Sequence, residues 1–318
     1  MPWVIRDVVR DINRASRRRW SALDPLLPVP GDLTAGCGEP FQVLGRDGRP
    51  AGFAVCRHQS FPDDSLSQTW GTATRFVLTP RLRDRDSAPA LDDLLSQWRE
   101  HLGRLPQAHE DDTSALVTWP TRDVSGVRAL LRHGLQPTTV LAARPARRQV
   151  PAGKPDVTVR HATLDDLDAV AGMEMGVIRY DAQFGGSVPR PRTEELVRAD
   201  AQIAVGKQPE WFWLAERAGR PVGLLVVQPP ADATWVATMT GERPAAYLST
   251  LFVLAQERGM GAGAALVRRA HAELDEQGVA VTLLHHSQVN PVSGPFWNRM
   301  GYRPLWTSWE IRPAASMR

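Results

Sequence analysis

Hydrophobic residues in the first half of the chain change their spacing several times, and each change predicts a new element. Near the N-terminus they recur at helical intervals between charged residues, which predicts an amphipathic helix: Val4, Ile5, Val8, Val9 and Ile12. Apolar runs at 41–44 and 51–56 flank a glycine-containing turn and predict a β-hairpin. The pattern then predicts, in order, a strand at 74–78, a helix at 91–102, a strand at 114–119, a short helix at 124–133 and a strand at 138–142.

The second half repeats this order of elements. A strand at 157–160 is followed by Thr163, which can cap a helix, and by two aspartates in the first helical turn. The alternation of strands and helices predicts an α/β fold (α+β type, with a mixed sheet) in each half. The remaining elements are a hairpin of 211–216 and 221–227, a strand at 247–254, a helix at 264–276, a strand at 279–285, a short helix at 293–300 and a strand at 306–311.

Three short segments of the first half return in the second half in the same order. Such ordered similarity predicts an internal duplication, in which one α/β module occurs twice. The matching pairs are 48–53 with 219–224, 76–78 with 252–254, and 133–137 with 300–304.

Residues 144–156 separate the two halves. They contain three prolines and little apolar material, so we expect a linker. The predicted organisation is one domain at 1–143, the linker at 144–156 and a second domain at 157–318.

The composition fits this organisation and excludes several classes of protein. Of 318 residues, 42% are hydrophobic and 23% charged, enough for two globular cores. The formal net charge of +3 is small for this length and gives no reason to expect a nucleic-acid partner. Cys37 and Cys56 are the only cysteines, which excludes a disulfide-rich scaffold and a thiolate zinc site.

The chain also lacks sequence features of membrane proteins. No apolar run approaches the roughly 18 residues of a membrane span. The first residues lack the apolar core of a signal peptide. We therefore expect a cytoplasmic protein with no membrane partner.

The most informative stretch is 251–266, where an apolar strand ends at a polar corner and a helix rich in Ala and Leu begins. Gly259, Gly261 and Gly263 occupy alternate positions of this corner. Glycine lets a ligand approach the main chain, and the N–H groups of a first helical turn attract phosphate. The stretch predicts a diphosphate cradle, although close helix–strand packing alone also favours glycine.

Two other phosphate-binding motifs do not fit this stretch. A Walker loop is excluded because no Gly-Lys-Ser/Thr follows the glycines. A dinucleotide-binding fold fits poorly because the repeated parallel βαβ units and the ribose-binding acid are missing.

Two landmarks in the second half match one family. The first is Arg258-Gly259-Met260-Gly261-Ala262-Gly263, and the second is Asn290 followed by Phe296-Trp297 and Gly301-Tyr302. Residues 157–313 therefore resemble the GCN5-related N-acetyltransferase (GNAT) family. Together with the duplication, the resemblance implies two GNAT-like acyl-CoA N-acyltransferase domains in tandem. It also implies acetyl-CoA as co-substrate and no metal.

The resemblance implies a role for each landmark. Backbone amides of the glycine turn would hold the CoA pyrophosphate, and the exposed edge of the preceding strand would pair with the pantetheine arm. One amide of that strand would polarise the thioester carbonyl. Asn290 would hydrogen-bond the arm, and Trp297 would pack beside it. The implied CoA-binding residues are Leu251, Phe252, Val253, Arg258, Gly259, Met260, Gly261, Ala262, Gly263, Asn290 and Trp297.

The residue expected to protonate the departing thiolate differs from the family pattern. Many members have a tyrosine where Trp297 stands here, and an indole N–H is too weak an acid for this role. Tyr302, Ser293 or water are the candidates that remain, or the thiolate leaves unprotonated. Tyr302 also fits a core aromatic, because the family usually has Phe at that position.

The general base has several candidates. His285 and His286 end a strand, so alternation turns them toward opposite faces of the sheet. A neutral imidazole can accept a proton from an ammonium group, but both histidines can equally be structural. Tyr247 and Glu174 are rivals. A metal site is not expected, because adjacent histidines point apart and no third ligand is evident.

The first half lacks the glycine signature. Residues 82–87 stand in its place, and the carboxylates of Asp84 and Asp86 would repel a diphosphate, although Arg83 and Arg85 could bind one. We expect this copy to have lost CoA binding and to act as a scaffold or as a wall of the substrate site.

The acyl acceptor is expected on another loop of the second half. In this family the acceptor usually enters at the region that corresponds to residues 179–192. Asp181 in this loop, or Glu174 before it, could bind a cationic amine.

The sequence thus predicts acetyl or acyl transfer from CoA to a primary amine of a small molecule or peptide, by direct attack in a ternary complex. One alternative is a non-catalytic CoA-binding sensor or assembly module. Another is an acyltransferase with a longer acyl-CoA or an alcohol acceptor. Both a monomer and a homodimer are consistent with the sequence.

Overall fold

The computed structural model describes residues 2–83, 88–150, 153 and 156–318, with side chains described from residue 9 onward. Asp84, Arg85 and Asp86, on which the predicted loss of phosphate binding depends, lie outside the described residues. So do Pro151, Ala152, Lys154 and Pro155 of the expected linker, and the side chains of Val4, Ile5 and Val8.

The predicted helices and strands occur in the predicted order, and two further helices lie at 193–207 and 234–237. The helices are α1 (Pro2–Leu23), α2 (Ala88–Gly103), α3 (Val127–Arg132), α4 (Leu167–Ala182), α5 (Thr193–Lys207), α6 (Thr234–Ala237), α7 (Ala262–Glu276) and α8 (Ser293–Arg299). The strands are β1 (Glu39–Leu44), β2 (Pro50–Ser60), β3 (Thr74–Leu82), β4 (Thr113–Pro120), β5 (Gln136–Pro145), β6 (Thr158–His161), β7 (Phe212–Arg217), β8 (Arg220–Gln228), β9 (Ala245–Val253), β10 (Val281–Ser287) and β11 (Arg303–Ile311). Within the described ranges, no helix is both long and apolar enough to span a bilayer.

The chain divides into two compact units. Unit 1 contains Met1–Asp63, Thr72–Val140 and Leu305–Arg318, and unit 2 contains Asp64–Gly71 and Leu141–Pro304. This division differs from the predicted one because the C-terminal strand belongs to unit 1, and a short N-terminal segment to unit 2. The boundary near residue 140 also falls within β5, which continues to Pro145 and so into the expected linker.

Strand pairing is the reason for the changed boundaries. β11 pairs antiparallel with β4, from Trp306 opposite Pro120 to Ile311 opposite Ala115. Hydrophobic alternation predicts that a segment is a strand, but it carries no information about which distant strand completes its hydrogen bonds.

Each unit contains a mixed sheet, which confirms the predicted fold class. In unit 1 the order is β1-β2-β3-β4-β11 followed by the start of β5, with β3 and β4 parallel. In unit 2 the end of β5 is followed by β10-β9-β8-β7-β6, with β9 and β10 parallel. The apolar face of α2 is fully buried in unit 1 and consists of Leu91, Leu94, Leu95, Trp98 and Leu102.

The hairpins of the two halves show the predicted duplication in their hydrogen-bond register. Gly52 lies opposite Val43, and the register then shifts by one residue before Pro50 pairs with Leu44. In the second half Gly223 lies opposite Ala215, and the same shift precedes the pairing of Pro221 with Glu216. A bulge at the same step of both hairpins is a specific feature that two unrelated hairpins would rarely share.

The short helix before the last strand of each half ends in the same way. Gly134 and Gly301 follow α3 and α8 with φ of 83° and 86°. In both places the next residue donates its N–H to a carbonyl five positions earlier, Leu135 to Leu130 and Tyr302 to Trp297. The pairing of 133–137 with 300–304 is therefore confirmed in structure.

The predicted match of 76–78 with 252–254 is wrong. Leu82 pairs with Gly52 and Val253 pairs with Gly223, so Leu82 is the residue that corresponds to Val253. Counting back along the strands, 76–78 corresponds to 246–248. Strands rich in Phe, Val and Leu produce such short similarities by chance, whereas the bulged hairpin fixes the register.

This register shows a difference between the two copies. The pairing of β8 with β9 skips Ser249, which is an extra residue between Thr250 opposite Val226 and Leu248 opposite Val227. In the first copy the pairing of β2 with β3 continues without a skip. The extra residue therefore bends β9 but not β3.

In unit 1, α1 occupies the main-chain edge at the end of β3. Arg83 donates its N–H to Ala51 on β2, so the N–H and C=O of the preceding Leu82 point away from β2. The hydroxyl of Ser16 accepts from the Leu82 N–H (3.1 Å) and donates to its C=O (3.0 Å). Ser16 and Leu82 are each 1% exposed, so this side chain satisfies a buried edge that water cannot reach.

We predict that Ser16→Ala lowers the free energy of unfolding by about 1–3 kcal/mol, because the Leu82 N–H loses its partner in a buried position. The measurement is chemical denaturation followed by tryptophan fluorescence. The matched control is Ser21→Ala on the exposed face of the same helix, for which we expect a change within about 0.5 kcal/mol. Equal effects of the two substitutions would contradict the bond to Leu82.

Candidate functional site

The site of unit 2 begins where β9 and β10 separate. Among the described residues they pair only from Val281 opposite Ala245 to Leu283 opposite Tyr247. Beyond this point β9 continues beside β8 alone. Leu254 donates its N–H to Val222 on β8, so the main-chain groups of Val253 point away from β8 and into the gap.

The predicted strand edge therefore divides into two kinds of residue. By the alternation of an antiparallel ladder, Leu251 and Val253 turn their N–H and C=O groups into the gap, whereas Phe252 turns its own toward β8. The ring of Phe252 packs against α4, since a Cβ on Gly176 would lie 2.6 Å from it. Phe252 thus contributes its side chain to the packing on α4 and offers no main-chain hydrogen bonds to the gap.

The glycine turn has the geometry of an anion cradle. Gly259 and Gly261 adopt φ of 79° and 89°, a left-handed conformation that residues with a Cβ rarely adopt. Gly261 is the N-terminal cap of α7, and the first helical hydrogen bond runs from the Ala265 N–H to its carbonyl (3.0 Å). The N–H groups of Ala262, Gly263 and Ala264 consequently have no acceptor within the helix.

Two details change the predicted cradle. The N–H of Arg258 donates to Ala255 (3.3 Å), so the amides directed at a ligand begin at Gly259 rather than at Arg258. A Cβ on Gly263 would lie 3.5 Å from Val253 and 3.6 Å from Phe296, which is ordinary van der Waals contact. Close packing alone therefore does not require glycine at position 263.

The side chain of Arg258 holds the turn against the neighbouring helix. Its Nε donates to the Val253 carbonyl (3.1 Å). Its guanidinium lies over the ring of Tyr180 at 4.7 Å and over that of Phe252 at 5.9 Å. These contacts connect the end of β9, the turn and α4 through one cation.

The second landmark forms the entrance to α8. Asn290 is 4% exposed, and its Oδ1 accepts from the N–H groups of Val292 (3.1 Å) and Ser293 (3.3 Å). Its oxygen thereby caps the helix, which leaves its NH₂ group as the part that can donate to a ligand. Trp297 is buried and stacks edge-to-face on Phe296 and on Tyr302.

Tyr302 is not placed to act as an acid. It is 2% exposed, and its hydroxyl lies 3.0 Å from Nε2 of His271 in the interior between α7 and the sheet. Burial raises the pKa of Tyr302 and lowers that of His271 to about 3. This burial and the contact with His271 favour the alternative of a core aromatic over that of a proton donor.

A cluster of polar and aromatic side chains lies on the other side of the gap from Tyr302. The hydroxyl of Tyr247 and Nδ1 of His285 are 3.0 Å apart. Trp235 of α6 stacks almost parallel on His285 and packs edge-to-face on Tyr247 at 4.9 Å. Trp235 is 55% exposed, so this cluster borders solvent. The structure thus brings together two predicted residues, Tyr247 and His285, which lie on adjacent strands.

Asp181 at the end of α4 gives this cluster its charge. Burial raises the pKa of Asp181 to about 6. Desolvation lowers the pKa of His285 to about 4, and His286 contributes to this shift. Part of the residue nevertheless remains exposed. Burial also raises the pKa of Tyr247, and the charge of Asp181 adds to it. At pH 7 the cluster therefore carries one negative charge and neutral rings.

The two other predicted bases lie outside this cluster. Nδ1 of His286 lies 3.1 Å from the Ser287 carbonyl, and its ring is near Gly294 of α8, on the other face of the sheet. Burial raises the pKa of Glu174 to about 8, and the charge of Asp200 on α5 adds to this shift. The charge that acts on Glu174 is thus the like charge of Asp200 on α5.

Two contributors to unit 2 have no signal in the sequence. Trp235 lies in a short helix between β8 and β9 that shows no hydrophobic period. The segment Asp64–Gly71, far away in the sequence, belongs to unit 2 and contacts the loop after α4. No group of three or more His, Cys, Asp or Glu that could hold a metal ion occurs among the described residues.

Comparison with known proteins agrees with this geometry. Residues 178–302 match the model of the acetyltransferase (GNAT) family. The chain is similar to a GCN5-related N-acetyltransferase from Sphaerobacter thermophilus, with a TM-score of 0.56 and 17% identity over 96% of this chain and 92% of that chain. No curated protein sequence matches it.

Two further solved structures are similar over nearly the whole chain. One is a GNAT-family acetyltransferase from Colwellia psychrerythraea, with a TM-score of 0.47 and 10% identity over 96% of each chain. The other is a tandem GNAT protein from the clavulanic acid biosynthesis pathway, with a TM-score of 0.44 and 14% identity over 97% of this chain and 95% of that chain.

The matched region lies inside the predicted 157–313 and contains the glycine turn, the strand gap and both landmarks. Over residues 178–302 the chain is a domain of the GNAT acetyltransferase family, whose members are acyl-CoA-dependent N-acetyltransferases.

Proposed function

We propose that unit 2 transfers an acetyl group from acetyl-CoA to the primary amine of a small molecule or peptide that binds as a cation. The observation that carries this proposal is the gap between β9 and β10. The main-chain groups of Leu251 and Val253 border this gap. They face away from β8 and lie directly before the glycine turn. In unit 1 the corresponding groups of Leu82 are occupied by Ser16. We propose accordingly that the N-terminal half is a GNAT-like copy that does not bind CoA.

The residues of the gap fit CoA. The positive φ of Gly259 and Gly261 and the acceptor-free amides at the start of α7 suit a pyrophosphate. The N–H groups of Leu251 and Val253 can donate to an extended pantetheine arm in the manner of an added strand. The NH₂ group of Asn290 is available to the same arm.

Acetyl-CoA supplies the acyl group as a thioester, and the overall products are an amide and a free thiol. The chain contributes fixed donors at the carbonyl, because the main-chain N–H groups in the gap are held by the β8–β9 ladder. Preorganised donors of this kind are usually the largest single contribution to acyl transfer.

The cluster on the other face fits the amine. The carboxylate of Asp181 attracts a cationic amine, and the exposed face of Trp235 provides an aromatic surface for it. Neutral His285 adds no repulsive positive charge, because its pKa of about 4 keeps it deprotonated at pH 7.

Within this cluster Asp181 is the stronger base, since its pKa of about 6 lies above that of His285. We therefore assign the amine proton to Asp181, and to Tyr247 and His285 the role of orienting the amine through hydrogen bonds. The pKa of about 8 keeps Glu174 protonated at pH 7, so it is not assigned this role.

The experiment that tests the function is acetyl-CoA turnover over a panel of amines, followed by release of free thiol. The proposal expects turnover for cationic primary amines. CoA binding without release of the thiol in the presence of any amine would overturn the proposal. It would favour a CoA-binding sensor, which is also suggested by Trp297 at the position of the usual tyrosine. Thiol release only with a longer acyl-CoA would change the proposed donor, and release only with alcohols would change the proposed acceptor.

We predict that Gly261→Glu reduces CoA affinity at least about 100-fold, because it places a Cβ and a negative charge in an anion cradle at positive φ. The matched control is Gly278→Glu after the far end of α7, where φ is 74° and no atom lies within 4 Å of an added Cβ. Isothermal titration calorimetry measures both. Equal CoA affinities of the two variants would contradict the cradle.

We predict that Asp181→Asn lowers kcat/KM for the amine by about 10²–10⁴-fold. The wild-type kcat/KM falls as the pH drops below about 6, because Asp181 is then protonated and loses its charge, and this decline disappears in the variant. The control is Asp168→Asn at the start of the same helix, where the carboxylate is 87% exposed and pairs with Arg198. A decline that persists in Asp181→Asn would assign it to another group.

A further inference from the structure

The connection between β2 and β3 leaves unit 1 and joins unit 2. Phe61 donates its N–H to Ala73 (3.0 Å), which closes the base of this loop within unit 1. The residues between them include Asp64–Gly71, which belong to unit 2. In the second half the corresponding connection, between β8 and β9, supplies Trp235 to the amine cluster. The same connection of each copy thus contributes residues to unit 2.

Three hydrogen bonds attach this segment to the loop that follows α4 and to the first residue of α5. The carbonyl of Thr69 accepts from the N–H of Val188 (2.7 Å), and the carbonyl of Gly71 accepts from Arg190 Nη2 (3.2 Å). The hydroxyl of Thr69 lies 3.4 Å from that of Thr193, which in turn accepts from the Arg190 N–H (2.8 Å). Thr69 and Thr193 are each 1% exposed, so these bonds lie in the interior.

An apolar contact fixes the segment from the other side. Leu66 packs against a buried cluster formed by Met175 and Ile178 of α4 and Val197 of α5. The segment is therefore held by α4, by α5 and by the loop between them.

The same loop leads directly to the amine cluster. Gly186 donates its N–H to the carbonyl of Asp181 (3.0 Å), and a Cβ on Gly186 would lie 3.9 Å from that of Ser287 at the end of β10. The buried hydroxyl of Ser187 donates to Ile178 (2.6 Å). Asp181 is thus separated from the anchor at Val188 by a few residues that are themselves hydrogen-bonded.

We propose that Asp64–Gly71, a segment of the N-terminal half, is a positioning element that sets the amine selectivity of the site in unit 2. It fixes the loop 183–192, which borders Asp181, without contributing to the CoA cradle. The inference rests on the proposed transfer to an amine, and it gives the degenerate copy a specific role in that reaction.

The test uses the full chain with the double variant Leu66→Ala/Thr69→Val and the single variant Thr69→Val. We expect KM for the preferred amine to rise, or kcat/KM to fall, by about 10–100-fold, with a changed ranking over the amine panel. The affinity for CoA stays within about twofold, because the cradle lies on β9 and α7. Leu66→Met should restore most of the selectivity, since it keeps the apolar contact.

The matched control is Leu33→Ala, which removes a buried leucine from a cluster of unit 1 with Val9 and Ile12. It lowers stability without touching the segment, so amine ranking should stay that of the wild type. If the double variant does not fold, Thr69→Val, which keeps the size of the side chain, decides the result.

A second readout does not depend on turnover. Hydrogen exchange of a peptide covering 184–193 should accelerate in the variants and not in Leu33→Ala, because the Thr69 main-chain carbonyl that accepts from the Val188 N–H is then held less firmly. Unchanged exchange, or faster exchange with unchanged amine ranking and KM, would overturn the inference. If the wild-type protein acetylates no amine, the proposed function and the selectivity role both fail. Exchange alone then still shows whether the segment fixes the loop.

Discussion

The structure depends on one constraint, which is that the main-chain groups at the end of a strand must find partners when its neighbour diverges. β3 in unit 1 and β9 in unit 2 meet this constraint in different ways. In unit 1 the hydroxyl of Ser16 takes both groups of Leu82. In unit 2 Val253 turns the same groups into a gap beside a glycine turn, where its carbonyl accepts from Arg258 Nε and its N–H faces the gap. A strand edge with open N–H groups of this kind is a site for an extended ligand.

The rest of unit 2 supports this open edge. Arg258 fixes the turn by its contacts with Val253, Tyr180 and Phe252. The bulge at Ser249 bends β9, and Asn290 uses its oxygen to begin α8 while its NH₂ group remains available. Duplication followed by closure of one gap is consistent with the proposal that one fold supplies both an acyl-transfer site and a copy that does not bind CoA.

Local features were predictable from the sequence because they depend on nearby residues. The hairpins, the helix α2 and the glycine turn follow from spacing, turn chemistry and the absence of a Cβ. α5 was not predicted, because only Val197 and Val205 of its four buried residues are strongly apolar, whereas Ile203 is 58% exposed. The partner of β11, the interior place of Tyr302 and the cluster around Trp235 depend on contacts between distant segments, which no local pattern encodes.

The central claim is that one of the two duplicated gaps is open and the other is closed by its own chain. The most direct measurement is the stoichiometry of CoA binding to the full chain by isothermal titration calorimetry. The account predicts one CoA per chain. Two equivalents, or one that binds with unchanged affinity when the cradle of α7 is blocked, would contradict it.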